Sequence, residues 1–447
     1  MRLMRRSLLP LGFAVFAGSR PALADAPVAL EGAEVFDGER RIGRATILVA
    51  DGVIGAIGPS GSVAVPAGAR RIDLAGRAVV PGLISAHSHV GNSAGAETGG
   101  RFYTRENVLA QLRQFAAYGV TTVTALGLGP AAFFDIREEV RRGGTDGADL
   151  LGAGMGVGVP DGTPPAGPMN LNDSQVARPG TPEEAREAIR AMARRRVDIV
   201  KLWVDDLNGT VPMMRPEIIL AATEEAHAHR LRVAAHIHDL EQARIVVRSG
   251  VDIVAHGIRD KPVDAALVAA MRERNTWYIP TIQINEANYI YADRPELLAD
   301  PFFGRALNAG LRAQFGDPEW RRSALAGAAS SREEVAVNQR NLKALHAAGV
   351  RIGFGTDSGA TAIRIPGFAE HRELELMVEA GLTPEQALRC ATGQSAELLG
   401  LEDRGLLRQG RRADLLVLDA DPQADIRNIH RIRAVWQRGR EVSGALG

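Results

Sequence analysis

Two histidines spaced two residues apart, His87 and His89 in "PGLISAHSHV", carry the first chemistry legible in the chain. At the end of a β-strand such residues point to one side, so two imidazoles there could chelate one divalent ion. Two hydrogen-bonded core histidines fit the same spacing. Lys201 poses a second problem. In "DIVKLWV" the residues Ile199, Lys201 and Trp203 share one strand face, Val200, Leu202 and Val204 share the other, and both faces of a barrel strand are buried. A buried ammonium is costly unless paired or neutralised. Its plain reading is an ion pair with Asp205 or Asp206, and its sharper reading is a lysine whose chemistry has been changed. His236 ends "RVAAH", His238 follows two residues on, His256 ends "IVAH", and Asp357 ends "GFGTD". Each is weak evidence alone. The remaining histidines, His227, His229, His346, His371 and His430, fall in helical or tail segments and read as structural or surface residues.

Elements that would position these residues follow from the patterning. From Val28 to Asp73 short alternating or apolar runs are punctuated by Asp-Gly and Pro-Ser-Gly turn signals, which predicts a small β unit. After about residue 78, β-rich runs alternate with amphipathic helical segments, the signature of parallel βα units. Strands are predicted near 78–86, 120–126, 150–157, 198–204, 232–237, 252–257, 277–282 and 351–356. Eight such repeats argue for a closed α/β barrel, a (β/α)8 TIM barrel. That closure brings the donor-bearing ends of the first, fourth, fifth, sixth and eighth strands round one rim. Thr181-Pro182-Glu183-Glu184 and Thr383-Pro384-Glu385-Gln386 mark helix starts. Two long connections, after the third and seventh strands, are candidates for a lid or pocket wall. The tail beyond about residue 402 returns to strands and is too small to hold a core alone. It is expected to complete the N-terminal unit as a small composite β-sandwich. The expected organisation is a leader at 1–24, half of the composite unit at 25–77, the barrel at 78–400 and the other half at 401–447.

Bulk properties narrow the function. The chain of 447 residues balances 53 Lys+Arg against 53 Asp+Glu, so no basic field exists to attract nucleic acid or anionic membrane. A small-molecule partner fits better, and a homo-oligomer stays open. Arg2, Arg5 and Arg6 precede the apolar run "LLPLGFAVFA", and Ala22-Leu23-Ala24 has the form of a signal peptidase site. Export to the periplasm or medium is therefore expected, by a general or twin-arginine route, with no stable membrane anchor. The single cysteine, Cys390, lies in an apolar helical pattern and reads as packing.

Taken together, "VVPGLISAHSHV", "DIVKLWVDD", "VAAHIH", "VDIVAHG", "GFGTDSG" and "GRRADLLVLDADP" make the chain resemble the amidohydrolase superfamily, in its imidazolonepropionase-like and prolidase-like branch. The likeness covers nearly the whole chain after the leader. It implies that His87 and His89 bind one metal ion with Asp357, that His236 and His256 bind a second, and that Lys201 is carboxylated by carbon dioxide to bridge the two. Zinc is the default for such donors, with manganese, iron or cobalt as alternatives. The implied reaction is attack of a metal-bridging hydroxide on a carbonyl. Asp357 would move the proton to the leaving nitrogen, and His238 would hydrogen-bond the carbonyl or oxyanion.

This chain departs from that pattern in two places. Many relatives carry an aspartate two residues before the first histidine, where this sequence has Ser85, which puts a supporting hydrogen bond in doubt. Dipeptidases of the branch also carry a tyrosine between the lysine and the next histidine to hold the substrate carboxylate. Here the stretch "NGTVPMMRPEII" contains none. Arg215 and Arg259 are alternative anion holders, although each reads first as a surface salt bridge. The leading expectation is cleavage of a carbon–nitrogen bond in a small molecule. A lactonase or esterase on the same site, and a catalytically silent metal-binding protein, are the competing readings.

Overall fold

In the computed structural model, which describes residues 26–444, parallel strands close into a barrel. The leader read over residues 1–24 lies outside the described residues. In barrel order the strands are Leu83–Ser88, Val120–Ala125, the two-part third strand Asp149–Gly152 and Gly156–Val157, Val200–Trp203, Val233–His236, Ile253–Val254, Trp277–Tyr278 and Arg351–Ile352. Successive pairs are parallel, for example Lys201 beside Ala234 and Ala235 beside Val254. Just past the last strand, Ala86 N–H donates to Phe354 O at 2.8 Å and Thr356 N–H to His87 O at 2.9 Å. These bonds seal the ring between the first and eighth strands.

Two predicted strands are each broken in two. The run read as one strand at 78–86 splits at Gly82: Ala78–Pro81 joins the composite sheet, and Leu83–Ser88 begins the barrel. Pro81 has no N–H to donate, and a Cβ on Gly82 would lie 2.3 Å from Thr121 Oγ1, so the chain changes sheets at the one spot where it presses against its neighbour. The third strand pauses at residues 153–155 and pairs on one side with Val120–Ala125 and on the other with Val200–Trp203.

The long connection after the seventh strand was expected to be loop and is instead a train of short helices, among them Pro301–Gly304, Ala309–Gly316 and Pro318–Ala326. Asp300, Asn308 and Asp317 cap them by accepting backbone N–H bonds, and two of the caps are followed by proline. The helices have a core of their own, in which Tyr291, Phe303 and Phe315 stack above Phe368. Elsewhere the predicted starts hold: Thr181 accepts from Glu184 N–H, and Thr383 forms a reciprocal capping box with Gln386.

Both chain ends meet in one eight-stranded network. Strands run in the order Arg440–Gly444, Ile432–Gln437, Leu415–Leu418, Ala78–Pro81, Val28–Phe36, Arg41–Ala50 and Val53–Pro59, with Arg70–Asp73 beside Val28–Phe36. This β-sandwich encloses Val35, Ile47, Val79, Leu415 and Trp436. No helix among the described residues is long and apolar enough to cross a membrane. Cys390 is buried and free, as its apolar surroundings predict.

Gly355 fixes how closely the last strand's exit approaches the first. A Cβ there would lie 2.6 Å from His87 Cβ and 2.7 Å from its backbone nitrogen. Gly355→Ala is therefore expected to destabilise the protein by about 1–3 kcal/mol through overpacking, and to weaken metal binding at His87. Thermal unfolding and metal titration of the variant check this; an unchanged protein in both would refute it.

Candidate metal centre

Donor side chains converge where these strands end. His87 and His89 leave the first strand, Lys201 lies inside the fourth, His236 ends the fifth, His256 follows the sixth and Asp357 follows the eighth. His87, His89, Lys201, His256 and Asp357 are buried, and His236 nearly so. The imidazole of His87 stands 4.5 Å from that of His256, centre to centre, and His256 stands 4.3 Å from His236. Asp357 Oδ1 lies 3.1 Å from His87 Nε2 and 3.0 Å from His89 Nε2. Lys201 Nζ is 3.2 Å from His87 Nε2. One donor atom from each of His87, His256 and Asp357 falls within 4.8 Å of the others, spacing that suits a single ion.

A test of whether these residues fit a metal is what their second nitrogens do. His89 Nδ1 is 3.2 Å from Gly127 O, His236 Nε2 is 3.1 Å from Asp205 Oδ2, and His256 Nδ1 is 3.0 Å from Thr281 Oγ1. Each ring is thus tethered through one nitrogen, as metal-bound histidines are, leaving the other to coordinate. His256 Nε2 and His87 Nδ1 are buried without any hydrogen-bond partner. An orphaned buried nitrogen calls for an explanation, and a lone pair suited to a metal ion accounts for His256 Nε2, while His87 turns its Nε2 to Asp357 and Lys201.

Electrostatics agree. Burial pulls His87 down to about 3, helped by the Lys201 charge and opposed by Asp357. Burial likewise lowers His236 to about 4, against the pull of Asp205, and holds His256 far below its ordinary value. The rings are therefore neutral at physiological pH, the form that ligates metal. Burial lowers Lys201 to about 7, with Asp357 opposing it. Burial pushes the Asp357 carboxyl up, but the Arg364 guanidinium and the hydrogen bonds from His87 and His89 outweigh it and keep the group well below the usual carboxylate range.

Several supporting residues were not read from the sequence. Asp205, considered only as a partner for Lys201, instead pairs with His236. Lys201 has no carboxylate bonded to it among the described residues; its Nζ is near His87 and lies over Trp203, 5.6 Å from the ring centre. Arg364 donates to Asp357 Oδ2. Thr281 and Asp357 both adopt left-handed backbone, at φ 43° and 58°. That conformation is costly for a β-branched threonine and concentrates at functional sites. Behind Thr281, the buried Glu373 accepts the Ile282 and Gln283 N–H groups, each at 2.8 Å. His238 stays outside the donor cluster, its Nε2 3.6 Å from Glu334. Among the five histidines read as structural or surface residues, His227 and His229 are exposed and pair with Asp252 and Glu225, His430 pairs with Glu375, His371 is buried beside Tyr118, and His346 lies near the end of a helix.

The doubt raised by Ser85 is answered by Glu370. This fully buried carboxylate accepts Thr356 Oγ1 at 2.5 Å and Ser358 Oγ at 2.7 Å, the residues on either side of Asp357. Ser88 and Ser85 reach the same oxygen at 3.3 and 3.4 Å, and their hydroxyls lie 2.6 Å apart. Gly367 N–H donates to the other oxygen at 2.8 Å. One glutamate therefore ties the strand of His87 and His89 to the turn of Asp357.

The Amidohydrolase family profile matches residues 78–442. The chain belongs to that family. Among curated relatives of this amidohydrolase, the ochratoxinase of Aspergillus niger is 25% identical over 294 residues, 62% of this chain and 52% of that protein. The chain thus spans about half the length of the curated relatives it matches. A Xaa-Pro dipeptidase solved with methionine in its active site superposes with a TM-score of 0.74 at 23% identity, over 93% of this chain and 99% of that one. Phenylurea hydrolase B follows with a TM-score of 0.71 at 21% identity, over 93% and 96%. At these identities the superpositions establish the fold, a TIM barrel with its β-sandwich.

Removing the glutamate clamp has a measurable cost. Glu370→Ala removes the acceptor of the Thr356 and Ser358 hydroxyls and of Gly367 N–H and is expected to lose about 1–3 kcal/mol of stability and to bind metal more weakly, while Glu370→Gln, which keeps an acceptor oxygen, loses less. Unfolding of metal-free protein, followed by calorimetric metal titration, separates the two effects. Equal behaviour of Glu370→Ala and the unaltered protein would remove the clamp from the account.

Proposed function

We propose that this amidohydrolase cleaves an amide bond in a small molecule, such as an N-acyl amino acid or short peptide, at a two-metal centre held by His87, His89, Lys201, His236, His256 and Asp357. The observation that carries the reading is the tethering of His89, His236 and His256 through one nitrogen each, with the other nitrogen of His256 buried and unpartnered among the described residues and His87 Nε2 turned to Asp357. Relatives named as a Xaa-Pro dipeptidase, an imidazolonepropionase and a phenylurea hydrolase support a carbon–nitrogen bond as the target.

Divalent ions, zinc by default, would supply there a water that ionises near neutral pH and would polarise the scissile carbonyl. Every other part of the chemistry falls to the chain. Lys201, lowered to about 7, holds an appreciable neutral fraction at physiological pH. The neutral amine can attack carbon dioxide, lose one proton and become a carbamate, an anion suited to lie between cations. Asp357, held ionised by Arg364, accepts the proton of the attacking water and returns it to the leaving nitrogen. In this reading His238, two residues beyond His236, would hydrogen-bond the carbonyl oxygen as charge develops.

Asp357→Asn keeps the shape and removes the base, so kcat on a panel of N-acyl amino acids and dipeptides should fall by about 10²- to 10⁴-fold. Chelation should abolish turnover, and added ions should restore it. Protein produced with metal and bicarbonate that held clearly less than one ion per chain would contradict the reading. For Lys201 the check is spectroscopic: ¹³C-bicarbonate should give a carbamate carbon resonance that disappears in Lys201→Arg.

A further inference from the structure

Arg259 does not form the surface salt bridge that its sequence context suggests. Arg215 does, pairing with Glu217 at 3.0 Å on an exposed helix start. Arg259 instead sits three residues past His256, on the loop leaving the sixth strand, and is only 7% exposed. Its backbone is pinned. Its N–H donates to His238 O at 3.3 Å, and the preceding Ile258 N–H donates to Tyr278 Oη at 2.9 Å. Asn341 Nδ2 donates to the carbonyls of Ile258 and Lys261 at 2.9 and 3.0 Å.

With the backbone so fixed, the side chain is left unsatisfied: Nε and Nη1 are both buried without a hydrogen-bond partner. A guanidinium cannot escape by losing its proton, and an uncompensated buried charge is among the costliest arrangements a fold can hold. The carboxylates whose charge reaches it are Asp205, Glu334 and Asp357. All three are committed elsewhere. Asp205 accepts from His236 and from Leu207 N–H, Glu334 accepts from Asn285, and Asp357 is held by His87, His89 and Arg364. Arg364, the cation that repels Arg259, also has a buried Nε with no partner. Two guanidiniums thus carry buried donors without a hydrogen-bond partner among the described residues, one bonded to Asp357 and the other on the loop that follows His256.

We propose that Arg259 anchors a carboxylate of the substrate, so that this enzyme selects amides carrying a carboxylate within a few bonds of the scissile carbonyl. The proposal rests on the hydrolase reading above. The pinned loop pre-pays the ordering of the guanidinium, and the incoming anion completes its hydrogen bonding, so recognition and stabilisation of the site are one event.

The test measures binding apart from turnover. Metal-loaded protein is titrated calorimetrically with benzoate and with nitrobenzene, its neutral isostere. Arg259→Met is expected to weaken benzoate by about 10- to 100-fold, the loss of charged hydrogen bonds, and to leave nitrobenzene unchanged. Arg259→Lys, which keeps charge without the planar fork, should fall between and serves as the comparison if the methionine variant does not fold. Benzoate bound equally well by the variants, or not bound by the unaltered enzyme, would overturn the proposal. In parallel, acetate release from N-acetyl amino acids and from their neutral methyl esters is followed; Arg259→Met should raise KM for the acids alone. Loss of benzoate affinity in the variants, with no amide cleaved by the unaltered enzyme, would overturn the proposed function and leave the anion site standing.

Discussion

The seam between the first and eighth strands is the constraint on which the centre depends. His87 and His89 come from one side of it and Asp357 from the other, and a closed barrel meets itself only there. Three devices hold it: backbone bonds between residues 86–89 and 354–358, the absence of a side chain at Gly355, and the Glu370 carboxylate gathering hydroxyls from both sides. Burial favours protonation of Glu370, while Thr356, Ser358 and Gly367 N–H favour the anion. The carboxyl is therefore bonded from several directions, and its position is over-determined. A glutamate on the helix behind supports both strands.

Around this seam the site follows one electrostatic rule, that bases are kept neutral and acids are kept paired. Burial is the largest cause that lowers the histidines and the lysine, and at the histidines neighbouring charges add to it. Asp205 and Asp357 stay ionised because each faces a cation or an imidazole. The result is a set of lone pairs fixed in place before any ligand arrives, which is what preorganised chemistry needs. Arg259 is the exception, a buried guanidinium whose Nε and Nη1 have no hydrogen-bond partner among the described residues.

The donor residues and the barrel were legible because each signal is local. A histidine or aspartate at the end of an apolar run needs only strand periodicity to be placed, and eight such runs need only the rule that parallel strands close. What escaped reading depends on contacts distant in sequence. Glu370 looks like any helical glutamate until the turn of Asp357 folds over it. Thr281 gives no sign of its left-handed backbone. Asp205 was visible, but its partner was not, because His236 and Lys201 are adjacent strands' candidates for the same carboxylate. The helices after the seventh strand were missed for a different reason: Asp300-Pro301 and Asp317-Pro318 are ordinary capping signals, and the glycines and short spacing between them masked the periodicity.

The composite sheet has a consequence for how the molecule is made. Strand Ala78–Pro81 lies between Val28–Phe36, which precede it, and Leu415–Leu418, which the ribosome adds only after the whole barrel. Throughout synthesis one edge of that strand waits with its hydrogen-bonding groups unpaired, next to apolar Val79 and Val80. Closing so long a loop adds little entropic cost at equilibrium, since that cost grows only with the logarithm of length. The burden is kinetic. The nascent chain carries an open, adhesive edge for most of its time on the ribosome, and the final three strands act as the latch that retires it.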